Sequence, residues 1–118
     1  MSKSHWGEHM PVAHCIVTET CQFEPINPVD LWAREAKQSP DEMTVTVVRH
    51  CQQFGKPYGV IANLYLPTAW SKNKASVLQV GLARALAQYC KTSLQDVLVI
   101  TLMVESGCVV EAGEEVFW

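Results

Sequence analysis

Met10 and Pro11 stand directly before an apolar run, residues 12–17, and this placement offers the chain an unusual base. Methionine aminopeptidases remove an initiator methionine when proline follows it, so a chain begun at Met10 would carry Pro11 as a secondary amine. An α-amino group has a pKa near ~7.7–8.0, and burial lowers that pKa because desolvation disfavours the cation. Such an amine is a base at neutral pH. If the preceding residues remain, the Pro11 nitrogen is an amide without basicity, and Pro11 is simply a proline tolerated at the first residue of a strand.

A metal site is the second chemistry that the residue types suggest. Residues 5–9 (His-Trp-Gly-Glu-His) match the H-x-x-E-H order of inverted zincins. That chemistry needs a rigid helix and a third ligand downstream, whereas Gly7 interrupts the motif and no long helix follows. His14 and Cys15 alternate along a strand, so they point to opposite faces, and the remaining cysteines show no recurrent zinc spacing. We expect no metal and no other cofactor.

Length and charge limit the classes of function. The 118 residues suffice for one domain, and the net charge of −3 without a basic stripe argues against a nucleic-acid partner. No apolar run approaches the ~20 residues that span a bilayer, and no signal peptide is visible, so we expect no membrane association. Five cysteines, an odd number, indicate a reducing compartment, the cytoplasm. Cys15, Cys51 and Cys90 lie in apolar stretches and are expected to be buried.

The second half of the chain predicts a strand, a helix and a strand. Residues 58–66 form the first strand, and Ser71 caps a helix whose apolar residues recur at helical spacing from Val77 to Tyr89. Residues 97–104 are almost continuously apolar, which predicts a parallel strand buried on both faces. Short links join these elements into a βαβ unit.

The first half repeats the same order more faintly. Val12–Thr18 is a predicted strand, Asn27 and Pro28 are the N-cap and first residue of a helix, and residues 43–50 form the second strand. Corresponding elements are offset by roughly 45–55 residues, the length of a duplicated supersecondary unit. The order βαββαβ, of class α+β, suits either a ferredoxin-like sandwich or two βαβ units placed antiparallel in one sheet with two helices on one face.

Met10 and Pro11 at the head of the first strand, together with the duplicated unit, resemble the tautomerase superfamily, which includes 4-oxalocrotonate tautomerase, macrophage migration inhibitory factor and cis-3-chloroacrylic acid dehalogenase. Residues 53–55 (Gln-Phe-Gly) are similar to a His-Phe-Gly turn of that group, and residues 110–113 (Val-Glu-Ala-Gly) fall in the family order. The resemblance implies an N-terminal extension, residues 1–10, and one tautomerase-like domain, residues 11–118, with pseudo-repeats 11–54 and 57–113. It also implies a homotrimer.

The resemblance further implies enol–keto isomerisation of a small carbonyl compound or unsaturated acid. Pro11 takes the place of the proton-shuttling proline, and Glu111 that of the water-activating carboxylate of the hydrolytic members. Phe54 takes the place of the pocket wall. Arg49 and Lys56 are candidate substrate-binding cations, as is Lys74, although lone basic residues are mostly exposed surface charges.

The sequence departs from the family at its anion-binding positions. Pro67 and Trp70 stand where the dehalogenase has two arginines, and Leu98 and Ile100 replace an arginine and an aromatic hydroxyl in the last strand. Loss of a charge-assisted clamp argues against dehalogenation of an anionic acrylate. Three classes of function stay open: a tautomerase-like enzyme, a silent tautomerase-fold binding protein whose proline the extension blocks, and a ferredoxin-like small-ligand module.

Overall fold

Two strand–helix–strand units follow one another along residues 10–118, the part of the chain that the structure, a computed structural model, describes. The helices and strands are β1 (Val12–Thr18), α1 (Pro28–Ala36), β2 (Thr44–His50), β3 (Val60–Pro67), α2 (Lys72–Tyr89), β4 (Val97–Val104), β5 (Val109–Glu111) and β6 (Glu114–Val116). Short 3-10 turns, Pro40–Glu42 and Leu94–Asp96, precede β2 and β4. The predicted order βαββαβ is therefore confirmed, with a hairpin added after it.

Strand pairing separates the two candidate architectures. The main sheet has the order β2-β1-β3-β4, in which β1 and β2 are parallel, β3 and β4 are parallel, and β1 and β3 are antiparallel. In a ferredoxin-like sandwich the two strands of a βαβ unit are split by another strand. Here they are neighbours in both units, so the α+β sheet of two antiparallel βαβ units is the correct interpretation.

Both helices pack on one face of this sheet. Alternate residues of β1, including Cys15, and of β3, including Leu64, point to the helices and are buried. The helices supply large apolar side chains to the same core, and the Trp32 indole N–H donates to the Leu78 carbonyl oxygen at 2.9 Å, which joins α1 to α2. Gly81 allows this close approach, because a Cβ there would lie only 3.1 Å from the backbone nitrogen of Ala36.

The helix starts agree with the sequence signals. The Asn27 side chain accepts a hydrogen bond from the Val29 N–H at 2.9 Å, with Pro28 in the first turn. The Ser71 hydroxyl accepts from the Lys74 N–H at 3.2 Å at the start of α2. Local side-chain caps thus satisfy backbone donors that the helices themselves leave unpaired.

The prediction that β4 runs parallel to its neighbour is confirmed, whereas the prediction that it is buried on both faces is wrong. The strand pairs parallel with β3, but it lies at the edge of the sheet and its side chains are half-buried or exposed. Its outward side chains share the face opposite the helices, the helix-free face, with those of β1 and β2. The large exposed apolar residues of that face are Ile16 (42%), Val48 (54%), Ile100 (46%) and Leu102 (43%). Among residues 10–118 no second layer covers them, because both helices lie on the other side.

The tail after β4 turns back on itself. The strands β5 and β6 pair antiparallel through a two-residue turn in which Ala112 (φ 54°) and Gly113 (φ 81°) are left-handed. Val116 is buried, and the Trp118 indole N–H donates to the Thr68 hydroxyl at 3.0 Å. The hairpin base is thereby tied to the end of β3.

Across residues 10–118, neither helix combines the length and the apolar character that a membrane span needs.

Candidate functional site

Pro11 lies at the entry to β1 and is buried. Its carbonyl oxygen accepts a hydrogen bond from the Thr44 N–H at 3.0 Å, which ties the start of β1 to the start of β2. Met10 precedes it with a φ of 65°, a left-handed conformation that residues other than glycine rarely adopt. In the chain as it stands the Pro11 nitrogen is an amide. It becomes a base only in a chain that begins at Pro11.

A pocket of about 210 Å³ opens beside Pro11. Its lining comes from three parts of the chain: Pro11 itself, residues from the segment 38–43 after α1, and Trp70 between β3 and α2. The site is therefore built where the first strand begins and where the second unit turns from strand to helix. Pro67, the last residue of β3, is buried at the same end of the sheet.

Local sequence explains why the segment 38–43 is available to line the pocket. Lys37 ends α1 in the left-handed conformation (φ 55°), which turns the chain away from the helix axis. The Ser39 hydroxyl then accepts from the Asp41 N–H at 3.3 Å and starts a 3-10 turn with Pro40 in its first position. Met43 follows, buried, and leads directly into β2.

The pocket carries negative rather than positive side chains. Asp41 and Glu42 line it, and both are exposed. Among the described residues of the lining, none is lysine or arginine. Lys74 lies nearby, with its Nζ 5.9 Å from the centroid of the Trp70 ring. Within one subunit, the pocket therefore lacks the cationic clamp that an anionic substrate needs.

Trp70 lines the pocket and carries an indole N–H that is itself shielded from solvent. Only 7% of the residue is exposed, and among residues 10–118 its buried indole Nε1 has no hydrogen-bond partner. Buried N–H groups are nearly always paired, so an unpaired one at a pocket wall is a feature to explain. An acceptor such as a carbonyl oxygen would satisfy it.

Arg49, Phe54 and Lys56 lie at the other end of the sheet from Pro11. The strand β2 begins at Thr44, beside Pro11, and runs parallel to β1 until His50, where both strands end. Residues that follow or end β2 are therefore a strand length away from the Pro11 pocket. The structure does not bring these three predicted substrate-binding residues to Pro11 within one subunit.

Arg49 makes contacts of its own at that end. Its guanidinium donates to three backbone carbonyl oxygens, those of Thr18 (3.3 Å), Glu19 (3.0 Å) and Cys21 (2.7 Å). It also stacks over the Phe23 ring, 4.4 Å from the centroid. All three bonds come from the single nitrogen Nη1, and together they tie the end of β1 to the loop that follows it.

Replacing Arg49 with methionine is expected to lower the free energy of unfolding by about 1 kcal/mol. Charge-assisted hydrogen bonds contribute more than neutral ones, but this side chain is exposed and solvent reduces the effect. Urea unfolding measures the change. Arg84→Met, at another exposed arginine, is the matched control and should change the free energy by less than about 0.5 kcal/mol. Equal effects of the two substitutions would contradict a structural role for the Arg49 contacts.

Phe54 and Lys56 are on the surface of the turn between β2 and β3. Phe54 is 85% exposed and precedes Gly55, whose φ of 85° requires glycine. The Lys56 Nζ lies 5.4 Å from the centroid of the Tyr58 ring. In one subunit Phe54 is not a pocket wall, so that role stays a prediction that depends on a neighbouring chain.

Glu111 lies at the end of β5, opposite Glu114 in the hairpin, and is exposed. The hairpin follows the end of β4, which pairs with Pro67, so its base is at the same end of the sheet as Pro11. Glu111 itself is next to the turn, away from that base. It does not line the Pro11 pocket.

Sequence reasoning missed Trp70 and the segment 38–43 as parts of the site. The sequence did offer a signal for Trp70, because this residue stands where the dehalogenase has a substrate-binding arginine. The segment 38–43 carried none beyond its turn residues. The other two departures, Leu98 and Ile100, lie on the helix-free face of β4, in register with Ile61 and Asn63.

The metal motif at residues 5–9 lies outside the described residues. Within residues 10–118, no group of three or more histidines, cysteines, aspartates or glutamates is arranged to hold a metal ion. His14 and Cys15 point to opposite faces, as predicted: Cys15 is buried, whereas His14 is exposed and contacts the Tyr65 ring edge-on at 5.3 Å. Cys51, expected to be buried, is exposed because it follows the end of β2.

Sequence comparison identifies no relatives. No protein-family model matches the chain, and no curated protein matches it either.

Solved structures do resemble the chain. Native fused 4-OT superposes with a TM-score of 0.73 at 10% identity, covering 90% of this chain and 96% of that one. A macrophage migration inhibitory factor-like protein from Entamoeba histolytica gives a TM-score of 0.67 at 11% identity, over 91% and 99% of the two chains. The macrophage migration inhibitory factor of Oncomelania hupensis gives 0.66 at 10% identity, over 90% and 81%. A structural likeness at such low sequence identity establishes the fold. The activity has to be argued from the residues of the site. The chain therefore has the tautomerase-superfamily fold.

Proposed function

We propose that the chain is a tautomerase-like enol–keto isomerase, acting on a small carbonyl compound or unsaturated acid, with Pro11 as the proton shuttle. The observation that carries the proposal is a buried proline at the head of β1, beside a pocket of about 210 Å³, in a tautomerase fold. Loss of the extension, residues 1–10, would turn its amide into a secondary amine. Such a base moves a proton between the carbon next to a carbonyl and the carbonyl oxygen, without a cofactor.

Trp70 would be the donor for the second half of this chemistry once its solvent-shielded N–H turns toward the pocket. Removing a proton next to a carbonyl builds negative charge on the carbonyl oxygen, and a donor aimed at that charge stabilises the transition state. The Nε1 of Trp70 is unpaired among the described residues and belongs to a side chain that lines the pocket. A neutral donor in this place favours a carbonyl oxygen over a carboxylate.

A homotrimer is part of the proposal, with the helix-free face as its interface. The exposed apolar side chains of that face form a patch that a monomer would leave in water. One of the structures with this fold, R7 fused 4-OT (TM-score 0.74, 14% identity), is described as an asymmetric trimer. In such an assembly a neighbouring subunit would supply Arg49, Phe54 and Lys56 to the Pro11 pocket. Glu111 would activate water only for a substrate that is hydrated at its double bond, because isomerisation consumes no water.

Ile100→Lys is expected to convert the trimer to monomers, because a charge would be buried in the proposed interface. Val77→Lys is the matched control, since Val77 is also 46% exposed but lies on α2, on the helical side of the molecule. Light scattering after size-exclusion chromatography gives the mass in solution. A monomeric wild type, or an Ile100→Lys variant that stays trimeric, would count against this interface.

The activity is tested with phenylpyruvate, whose enol and keto forms interconvert by the proposed proton transfer. In a chain that begins at residue 11, Pro11→Ala should lower the rate at least about tenfold, because the secondary amine and its fixed ring are lost. Pro25→Ala, in an exposed loop at the opposite end of the molecule, should leave the rate unchanged. Equal rates for the wild type and Pro11→Ala would remove Pro11 from the mechanism.

A silent binding protein is the second candidate, favoured by the peptide bond between Met10 and Pro11 and by the acidic lining of the pocket. The intact mass of the protein purified from its native host separates the two. A mature chain that begins at Pro11 supports the enzyme, whereas one that begins at Met1 or Ser2 supports the binding protein.

We infer a cytoplasmic location from the cysteines. All five carry free thiols, and a reducing compartment keeps such thiols unpaired.

A further inference from the structure

Cys21 and Cys90 meet at the end of the sheet away from Pro11. Cys21 is half-buried in the loop after β1, and Cys90 directly follows α2 and is 4% exposed. The Cys21 Sγ lies 3.4 Å from the Cys90 carbonyl oxygen, although 69 positions separate the two residues. Both residues also line the same pocket, of about 270 Å³. Only the tertiary fold brings them together.

The loop that holds Cys21 is fastened to the end of α2 by several contacts. We call this loop, residues 19–26, the strap. The Glu24 N–H donates to the Tyr89 carbonyl oxygen at 2.8 Å, and the Phe23 ring stacks on the Tyr89 ring at 4.7 Å. Lys91 lies 3.9 Å from the Glu24 carboxylate. These contacts hold the strap, and with it Cys21, against the end of α2 that carries Cys90.

Solvent reaches this pair of thiols. A second pocket, of about 270 Å³, is lined by both cysteines together with residues of the strap and of the turn after α2. A small reagent can therefore approach Cys21, the more exposed of the two. Cys15, which is also close to Cys90, is 1% exposed and lies on the helix side of β1.

We propose that Cys21 and Cys90 are a reversible disulfide site, oxidised by a small-molecule disulfide such as oxidised glutathione, that locks the strap onto the end of α2. The Cys21 thiolate attacks one sulfur of the reagent, forms a mixed disulfide and releases one glutathione thiolate. The Cys90 thiolate then attacks the Cys21 sulfur and releases the second. The two cysteine protons end on two molecules of reduced glutathione, and the two protein sulfurs are oxidised as the reagent is reduced.

The second exchange limits the rate near neutral pH. Burial is the largest cause that raises the pKa of the Cys90 thiol, and it persists in the mixed disulfide, whereas the hydrogen bond and charge of Cys21 are then lost. Only the thiolate attacks, and its fraction grows tenfold per pH unit below that pKa. Ring closure should therefore accelerate roughly tenfold for each unit by which the pH rises between 7 and 9.

The experiment uses the chain with Cys51→Ser and Cys108→Ser, because these exposed thiols would otherwise form links between molecules. After treatment with oxidised glutathione, we expect an intact mass lower by two hydrogens and a proteolytic peptide pair joined through Cys21 and Cys90. The oxidised protein should melt roughly 5–15 °C higher, and reduction with dithiothreitol should reverse both changes.

Three further variants make the test specific. Cys21→Ser and Cys90→Ala should each abolish the crosslink, and the half-buried Cys21 site keeps the test available if the Cys90 variant does not fold. Cys15→Ala should leave the crosslink in place. Glutathione that stays on Cys21 without ring closure, a link between Cys15 and Cys90, or a crosslink that forms only in urea would each overturn the proposal.

Discussion

A chain that begins at Pro11 is expected to interconvert the enol and keto forms of phenylpyruvate about 10²–10⁴ times faster than the chain that retains residues 1–10. This ratio of rates is the gain expected from a correctly positioned base. The free secondary amine is such a base, and the amide is not. The hydrogen bond between the Pro11 carbonyl oxygen and the Thr44 N–H does not use the Pro11 nitrogen, so we expect it in both proteins. The comparison therefore tests whether a free nitrogen is needed.

The control for this prediction is a chain that begins at Met10 and keeps that methionine. It differs from the active form by one residue, and it should be as slow as the full chain because its Pro11 nitrogen is still acylated. The rate of the active form should rise with pH as the imino group loses its proton, at a pH below about 8, since burial lowers the pKa of an α-amino group. A full-length chain, verified by mass to begin at Met1, that matches the rate of the Pro11 form would contradict the mechanism.

Trp32→Ala should have the largest effect on stability, a loss of about 3–5 kcal/mol in the free energy of unfolding. Trp32 is fully buried between the sheet and α2, and its indole N–H donates to the Leu78 carbonyl oxygen at 2.9 Å. Truncation removes the packing of the largest side chain in the core and leaves a cavity. Because small domains are stable by only about 5–15 kcal/mol, a substantial part of the fold's stability depends on this residue.

Urea unfolding followed by circular dichroism measures the loss. Trp32→Phe should cost less, about 1–3 kcal/mol, because the phenyl ring refills part of the space but cannot donate the hydrogen bond. Val77→Ala, at a residue 46% exposed on α2, should change the free energy by less than about 0.5 kcal/mol. A Trp32→Ala loss no larger than that of the control would mean that the core does not depend on this side chain.

The sheet shows which of its properties local sequence patterns can predict. The parallel pairing of β3 and β4 was predictable. The helix between them returns the chain to the end of the sheet where β3 began, so β4 runs in the same direction as β3. The burial of β4 was not, because continuous apolar character does not say whether a second layer is a helix of the same chain or the face of another copy. Ile100 and Leu102 are apolar and exposed in the subunit because they lie on the helix-free face, which the proposed trimer would cover.

The candidate site likewise contains residues that the sequence could indicate and residues that only the fold brings to it. Pro11 was recognisable because its chemistry depends on its neighbour in the chain, Met10, and on the strand it opens. Trp70 was not, because its unpaired N–H becomes meaningful only when the fold sets it at the wall of the same pocket. Arg49 shows the converse: its charge suggested a substrate ligand, and its three carbonyl contacts exist only once the loop after β1 is folded.

By itself the sequence determined the helix caps, the order of strands and helices and the position of the candidate base, since each of these follows from residues within a few positions of one another. The tertiary structure alone decided which strands pair, which apolar face is left uncovered, and that Cys21 lies against Cys90. Such contacts join residues that are tens of positions apart, and their free energy comes from packing and burial, which local sequence does not encode.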